Sequence, residues 1–225
     1  MLPLLLLGFA CSREAPAPPP AMQVVPAPAP VSIRRLRGFL LHDGTTLVFR
    51  PCGEDTLAAI QGAAVAELQE VFSSLAGGDA GVAIGVELTG AVRSLGEGRV
   101  LDAAALAVAL PPGQEGLCAY DAGFTWRASG QEPFWSATLV EDRLSWLTPD
   151  LGSPLELPVT TTRHAGGVIS LSGELEGHHL DLSFQPARCR DGMSGAVFSF
   201  TATALVDGAS LRGCAQEGWP APVSG

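Results

Sequence analysis

Val168-Ile169-Ser170-Leu171-Ser172-Gly173-Glu174-Leu175, followed by Glu176-Gly177-His178 and then Leu180-Asp181-Leu182-Ser183-Phe184, is the stretch that decides the fold. Apolar residues alternate in both arms, which is the period of a strand with one face buried. The short glycine-containing separator permits only an antiparallel return. The same pattern extends in both directions. Phe124 to Arg127, Phe134 to Val140, Leu144 to Leu147 and Leu155 to Thr162 precede it, and Ala196 to Val206 and Leu211 to Ala215 follow. Glu141-Asp142-Arg143, Ala165-Gly166-Gly167 and Asp207-Gly208-Ala209 supply further tight turns. Seven or eight strands in a row with no helix to cover an edge predict an up-and-down antiparallel barrel over residues 120–217. Leu171, Leu175, Leu180, Leu182 and Phe184 are its expected core, with Trp135 and Trp146 filling the interior.

One segment interrupts this regularity. Cys189-Arg190-Asp191-Gly192-Met193-Ser194-Gly195 breaks the alternation with polar side chains and glycines, and Cys214 follows one strand and one turn later as a partner for a staple. Gly192 and Gly195 allow positive φ, while Arg190, Asp191 and Ser194 offer a donor, an acceptor and a hydroxyl. Two readings follow. As a contact surface for a protein or glycan, the loop exposes Arg190 and Ser194 together, with Asp191 orienting it to complete the binding set. As a structural corner, Asp191 caps backbone amides, Arg190 lies over the sheet and Met193 fills the barrel mouth.

The preceding half reads differently. Arg34 to Leu41 and Thr46 to Phe49 flank His42-Asp43-Gly44 as a hairpin, and Pro51-Cys52-Gly53 stops the ladder. Asp55 or Thr56 then caps an expected helix through about Leu75, with Leu57, Ile60, Ala64, Leu68, Val71 and Leu75 on its packing face and Gly77-Gly78 at its end. Val82 to Leu88 alternates as a strand; Leu106, Val108 and Leu110 do so too, although the alanines around them also allow a helix. Residues 33–119 thus form a first unit of α+β character, and the chain as a whole is mainly β.

Composition sets the compartment and the partners. The net charge of −10 argues against a nucleic-acid partner and is compatible with a basic one. Met1 to Ala10 is almost wholly apolar and runs into Cys11, and residues 12–32 are an Ala/Pro-rich spacer, extended and semi-rigid. Apart from Cys11, the cysteines are Cys52, Cys118, Cys189 and Cys214, an even set that reads as two disulfides in an exported protein and as metal or redox chemistry in a cytosolic one. Residues 218–225 form a tail.

Three resemblances attach to these residues. Residues 1–11 resemble the end of a bacterial lipoprotein signal peptide, which implies lipidation of Cys11 and a membrane partner through that anchor, at the outer membrane facing the periplasm. Phe49-Arg50-Pro51-Cys52-Gly53 and Val86-Glu87-Leu88-Thr89-Gly90 resemble the N-terminal domain of the copper-homeostasis envelope lipoproteins called NlpE-like. That family's CxxC is not present here, and Cys52 reads as half of a structural bridge to Cys118. Gly130-Gln131-Glu132-Pro133-Phe134-Trp135, Cys189 to Gly195 and Gly213-Cys214-Ala215 resemble the motifs of an uncharacterised family of bacterial envelope proteins, which implies an exported β-domain. In outline it is similar to the barrels of membrane-bound lysozyme inhibitors; Ser194-Gly195-Ala196-Val197-Phe198 follows their loop, with Phe198 where they carry tyrosine.

Catalytic and metal chemistry find little footing in the sequence. His178-His179 lies in an expected turn, and neighbouring residues that point to opposite faces do not chelate one ion. His164 stands alone. Ser194 lacks a Gly-x-Ser-x-Gly elbow. Glu132 and Asp191 are the candidate carboxylate pair, each with a turn role that explains it. The expectation is a non-enzymatic, cofactor-free binding or scaffold module of the envelope, with inhibition of a basic cell-wall hydrolase and metal or stress sensing as alternatives.

Overall fold

The computed structural model describes residues 32–218, apart from 78, 80, 120–122 and 176. The expectations for Cys11, the spacer up to residue 31, Gly78, Glu176 and the side chains of Leu175 and His178 lie outside the described residues. The fold is mainly β with one helix, as the alternation predicts. In chain order the elements are β1 (Arg34–His42), β2 (Leu47–Pro51), β3 (Ala58–Gln61), α1 (Val65–Ala76), β4 (Ala83–Leu95) and β5 (Gly98–Leu110). Then come β6 (Trp126–Gln131), β7 (Phe134–Val140), β8 (Arg143–Leu147), β9 (Leu155–Pro158), β10 (Thr160–Arg163), β11 (Ile169–Leu175), β12 (His178–Arg190), β13 (Val197–Val206) and β14 (Ala209–Glu217).

The strands from β6 onward form a ring in which each strand pairs with its neighbour in sequence, and β14 returns to β6. β9 pairs with β8 and β10 with β11, so 155–163 is one strand bent at Val159. Gly173 makes that bend possible, because a Cβ there would meet the Pro158 carbonyl oxygen at 2.8 Å. The expected core is present: Leu171, Leu180, Leu182, Phe184, Trp135 and Trp146 are buried together. Trp126 stacks on Phe184 and meets Phe200 edge-on, with its indole N–H buried and without a hydrogen-bond partner. Trp135 stacks on Trp146 at 5.2 Å.

The first half closes as well. β1 pairs with β2 and β4, β2 with β3, β4 with β5, and β3 with β5 in parallel. The ring β1-β2-β3-β5-β4, with a helix between the third and fourth strands, has the five-stranded Greek-key connectivity of an OB barrel. α1 plugs it with Leu68, Val71, Phe72 and Ala76 against Leu40, Phe49 and Ile84. The helix begins later than the spacing predicts. Ala58–Gln61 is a strand, Leu57 is 43% exposed, and Thr56 bonds the Glu54–Arg99 pair instead of capping. Gly62, at φ 104°, separates β3 from the helix, and parallel pairing with β5 overrides helical propensity in residues 58–61. Gly77 ends the helix in the left-handed conformation, as expected. The alanine-rich segment before Pro111 is strand β5, not a helix.

Both rings fall in one compact unit. They share one continuous sheet, because Val197 and Phe198 at the start of β13 pair with Ala109 and Val108 of β5. Cys52–Cys118 and Cys189–Cys214 are bridged, each with Cα atoms 5.5 Å apart.

Two glycines set the spacing of the second barrel. A Cβ on Gly130 would run into the Arg212 carbonyl oxygen and the Trp135 indole nitrogen, and one on Gly213 into the Ser129 carbonyl. Gly130→Ala and Gly213→Ala are each expected to destabilise the protein by about 1–3 kcal/mol through overpacking. Gly192→Ala, where a Cβ meets nothing within 4 Å, is the matched control. Urea midpoints that do not separate the first two variants from the third would refute this packing argument.

Candidate functional site

The three motif regions of the second barrel converge. The Cys189–Cys214 bridge joins the end of β12 to β14, Gln131 Nε2 donates to Asp191 Oδ2 at 3.1 Å, and Trp135 Nε1 donates to the Arg212 carbonyl at 3.2 Å. Asp191 is the centre of the corner. Its Oδ1 accepts from the Met193 N–H at 3.1 Å, the Ser194 N–H at 2.6 Å and the Ser194 hydroxyl at 2.7 Å. The backbone closes in parallel, with Gly195 N donating to Asp191 O at 2.9 Å and Asp191 N to Ala196 O at 2.8 Å. Gly195 takes the positive φ of 72° that this turn requires; Gly192 does not.

Burial of Asp191 works against its charge, but the Ser194 amide and hydroxyl, Gln131 and the Met193 amide together hold its carboxyl below the usual carboxylate range. Asp191 caps backbone amides, which the corner reading names and the contact-surface reading also allows. Two details of the corner reading differ. Met193 is 80% exposed instead of filling the barrel mouth, and Arg190 reaches Ser74 Oγ on α1 at 2.7 Å instead of lying over the sheet.

Arg190 and Ser194 therefore point to separate tasks. Ser194 Oγ donates to Asp191 and accepts from the Ala196 N–H at 3.2 Å, while its carbonyl accepts from Gln114 at 3.4 Å. Next to Arg190, the sheet register slips between Pro186 and Cys189, and Arg188 in that bulge bonds Glu70 at 2.7 Å and Glu67 at 3.2 Å on α1. The segment thus faces the first barrel along much of its length. Cys189 and Arg190 are the last residues of β12, not loop residues.

Beside this corner lies an open groove of about 1070 Å³. Its floor is the outward face of four adjacent strands. The register places Gln185, Thr201, Cys214 and Ser129 in one row, with Thr203 and Arg212 paired alongside. The rim is formed by Gln131, Glu132 and residues 189–193, which meet where Gln131 bonds Asp191. Sequence reasoning marked the rim but not the floor. The only available signal was the polar half of each strand's alternation, which reads as ordinary solvent-facing surface.

His164 and His179 have separate partners. His164 Nε2 lies 3.0 Å from Ser170 Oγ, and His179 Nε2 lies 3.0 Å from Asp181 Oδ2, which puts them on a strand pair away from the corner. His178 and His179 open β12 instead of forming a turn. Among the described residues no group of three or more His, Cys, Asp or Glu gathers in a way that could hold a metal.

Because its native carboxyl is depressed, Asp191 contributes stability that is fully present above the unfolded carboxylate value, near 3.9, and is lost as pH falls through the lower native value. Asp191→Ala is expected to cost about 2–3 kcal/mol at neutral pH, since it strands two amide donors and Gln131. Acid titration of stability should show a smaller decline in Asp191→Asn than in the parent. Equal declines would remove the carboxylate from this account.

In comparisons with known proteins, the chain matches no family model, no curated protein and no solved structure, so the reading of the groove rests on its own residues.

Proposed function

We propose that this chain is a non-catalytic binding module of the bacterial envelope, held by lipid at Cys11 and presenting the groove on the second barrel to an envelope ligand. The observation that carries the reading is the groove: a concave site above the ~300–1,000 Å³ range of small-ligand pockets, on a wall of paired strands stapled at Cys189–Cys214. Strands and a disulfide hold such a site in shape before a ligand arrives, which reduces the ordering cost of binding. The Ala/Pro spacer and the apolar run into Cys11 suit a domain held off a membrane surface. The paired cysteines fit an oxidising compartment.

The hydrolase-inhibitor alternative gains less support. Its loop residues Ser194 and Gly195 are engaged within the corner and against Pro111, and Phe198 is half-buried where β13 meets β5. Net negative charge is what remains in its favour.

Two measurements test the proposal on the full chain. Cys11→Ser should abolish fatty-acid labelling and release the protein from membranes. Thr203→Trp, which fills the groove from its floor, should abolish co-sedimentation of the released protein with washed envelope fragments, while Thr162→Trp on β10 should not. Melting temperatures should stay within about 2 °C of the parent, since exposed substitutions shift stability by roughly 0.5 kcal/mol or less. Retained labelling in Cys11→Ser, or co-sedimentation indifferent to Thr203→Trp, contradicts the reading.

A further inference from the structure

We infer that the groove takes a neutral oligosaccharide, an inference that rests on the binding-module reading. The floor supplies hydroxyls and amides: Thr201, Thr203, Gln185 and Ser129, with Gln131 at the rim. Each of these groups both donates and accepts, which suits a ligand whose own groups are hydroxyls and amides.

The charges on the groove's walls balance and leave little for an ionic ligand. With Arg190 bonded to Ser74 and Asp191 saturated by four donors, Arg212 and Glu132 remain, one charge of each sign. An anionic polymer would also meet the field of a chain with net charge −10. A cationic one would find only Glu132 with carboxylate oxygens that the corner does not consume.

Shape points the same way. The groove runs over the face of the sheet, across β12, β13, β14 and β6, whose backbone groups are paired with one another. An extended peptide that gains affinity by adding a strand needs an open edge, and this wall offers none. A flexible sugar chain needs only side-chain donors and acceptors with some apolar surface for its ring C–H faces. Met193, 80% exposed at the rim, supplies that surface on an adaptable thioether. The volume and openness suit several sugar units instead of one enclosed monomer.

The test uses the full-length protein in detergent, with maltotetraose and chitotetraose as neutral probes and tetragalacturonate as the anionic one, followed by calorimetry or amide chemical shifts. Either neutral oligomer should bind, with tetragalacturonate at least about fivefold weaker. Gln185→Ala and Thr203→Ala, both exposed, should weaken the neutral probe at least about fivefold, the effect of one lost hydrogen bond, without changing the melting temperature. Binding of tetragalacturonate in preference, of no probe, or with no response to these variants overturns the inference. If envelope co-sedimentation still responds to Thr203→Trp while no probe binds, the sugar assignment fails and the binding-module reading stands. Loss of both removes the groove as a ligand site.

Discussion

The constraint on which the rest of the structure depends is the short pairing of β13 with β5, two residues on each side, at Val197 with Ala109 and Phe198 with Val108. β13 must leave the corner at a fixed point and direction to serve two barrels at once. Its first residue, Val197, is buried in the core of the first barrel, whereas Ala202 and Ala204 further along belong to the core of the second. A one-residue slip would turn each of these side chains to the opposite face. The Asp191 corner fixes the register, because its side-chain and backbone bonds span residues 191–196 and end at the residue before Val197. A buried acid in a small turn thereby controls the join between two hydrophobic cores.

Ion pairs reinforce that join with unequal weight. Arg35 and Arg37 on β1 hold Glu87, which is 5% exposed, and Arg35 also bonds the Glu217 and Gly218 carbonyls and the Glu217 carboxylate at the end of β14. Glu87 is buried but met by two guanidinium groups, the arrangement under which a buried charge is tolerable; removing either partner would leave it poorly compensated. The Arg188 pairs with Glu67 and Glu70 on α1 are much more exposed and contribute at most about 1 kcal/mol each. They orient the bulged end of β12 more than they stabilise it.

The second barrel was legible in the sequence because nearly every strand buries one face and most of the turns are short. Neither feature depends on distant residues. The first barrel was harder to read. Residues 57–61 carry apolar spacing compatible with a helix, and pairing with β2 on one side and with β5, some forty residues away, on the other makes 58–61 a strand. The cysteine pairs were readable from parity and position. The bond from Arg190 to Ser74 was not readable, because Ser74 lies 116 residues earlier on another element. No local pattern encodes a contact of that range.

The candidate site shows the same division in a sharper form. Residues that stand out in a sequence do so because they break a pattern, and here the pattern-breakers have architectural work: Gly130 and Gly213 let strands and an indole approach, Asp191 and Ser194 tie the corner, and Cys189 and Cys214 close it. Residues able to meet a ligand are the ones that keep the pattern. Gln185, Thr201, Thr203 and Arg212 occupy outward positions that any solvated strand would fill with polar side chains. They line a groove only because the corner and the Gln131–Glu132 segment, joined at Gln131 and Asp191, rise beside them. The architecture that the motifs secure is what turns an ordinary polar sheet face into a concave one.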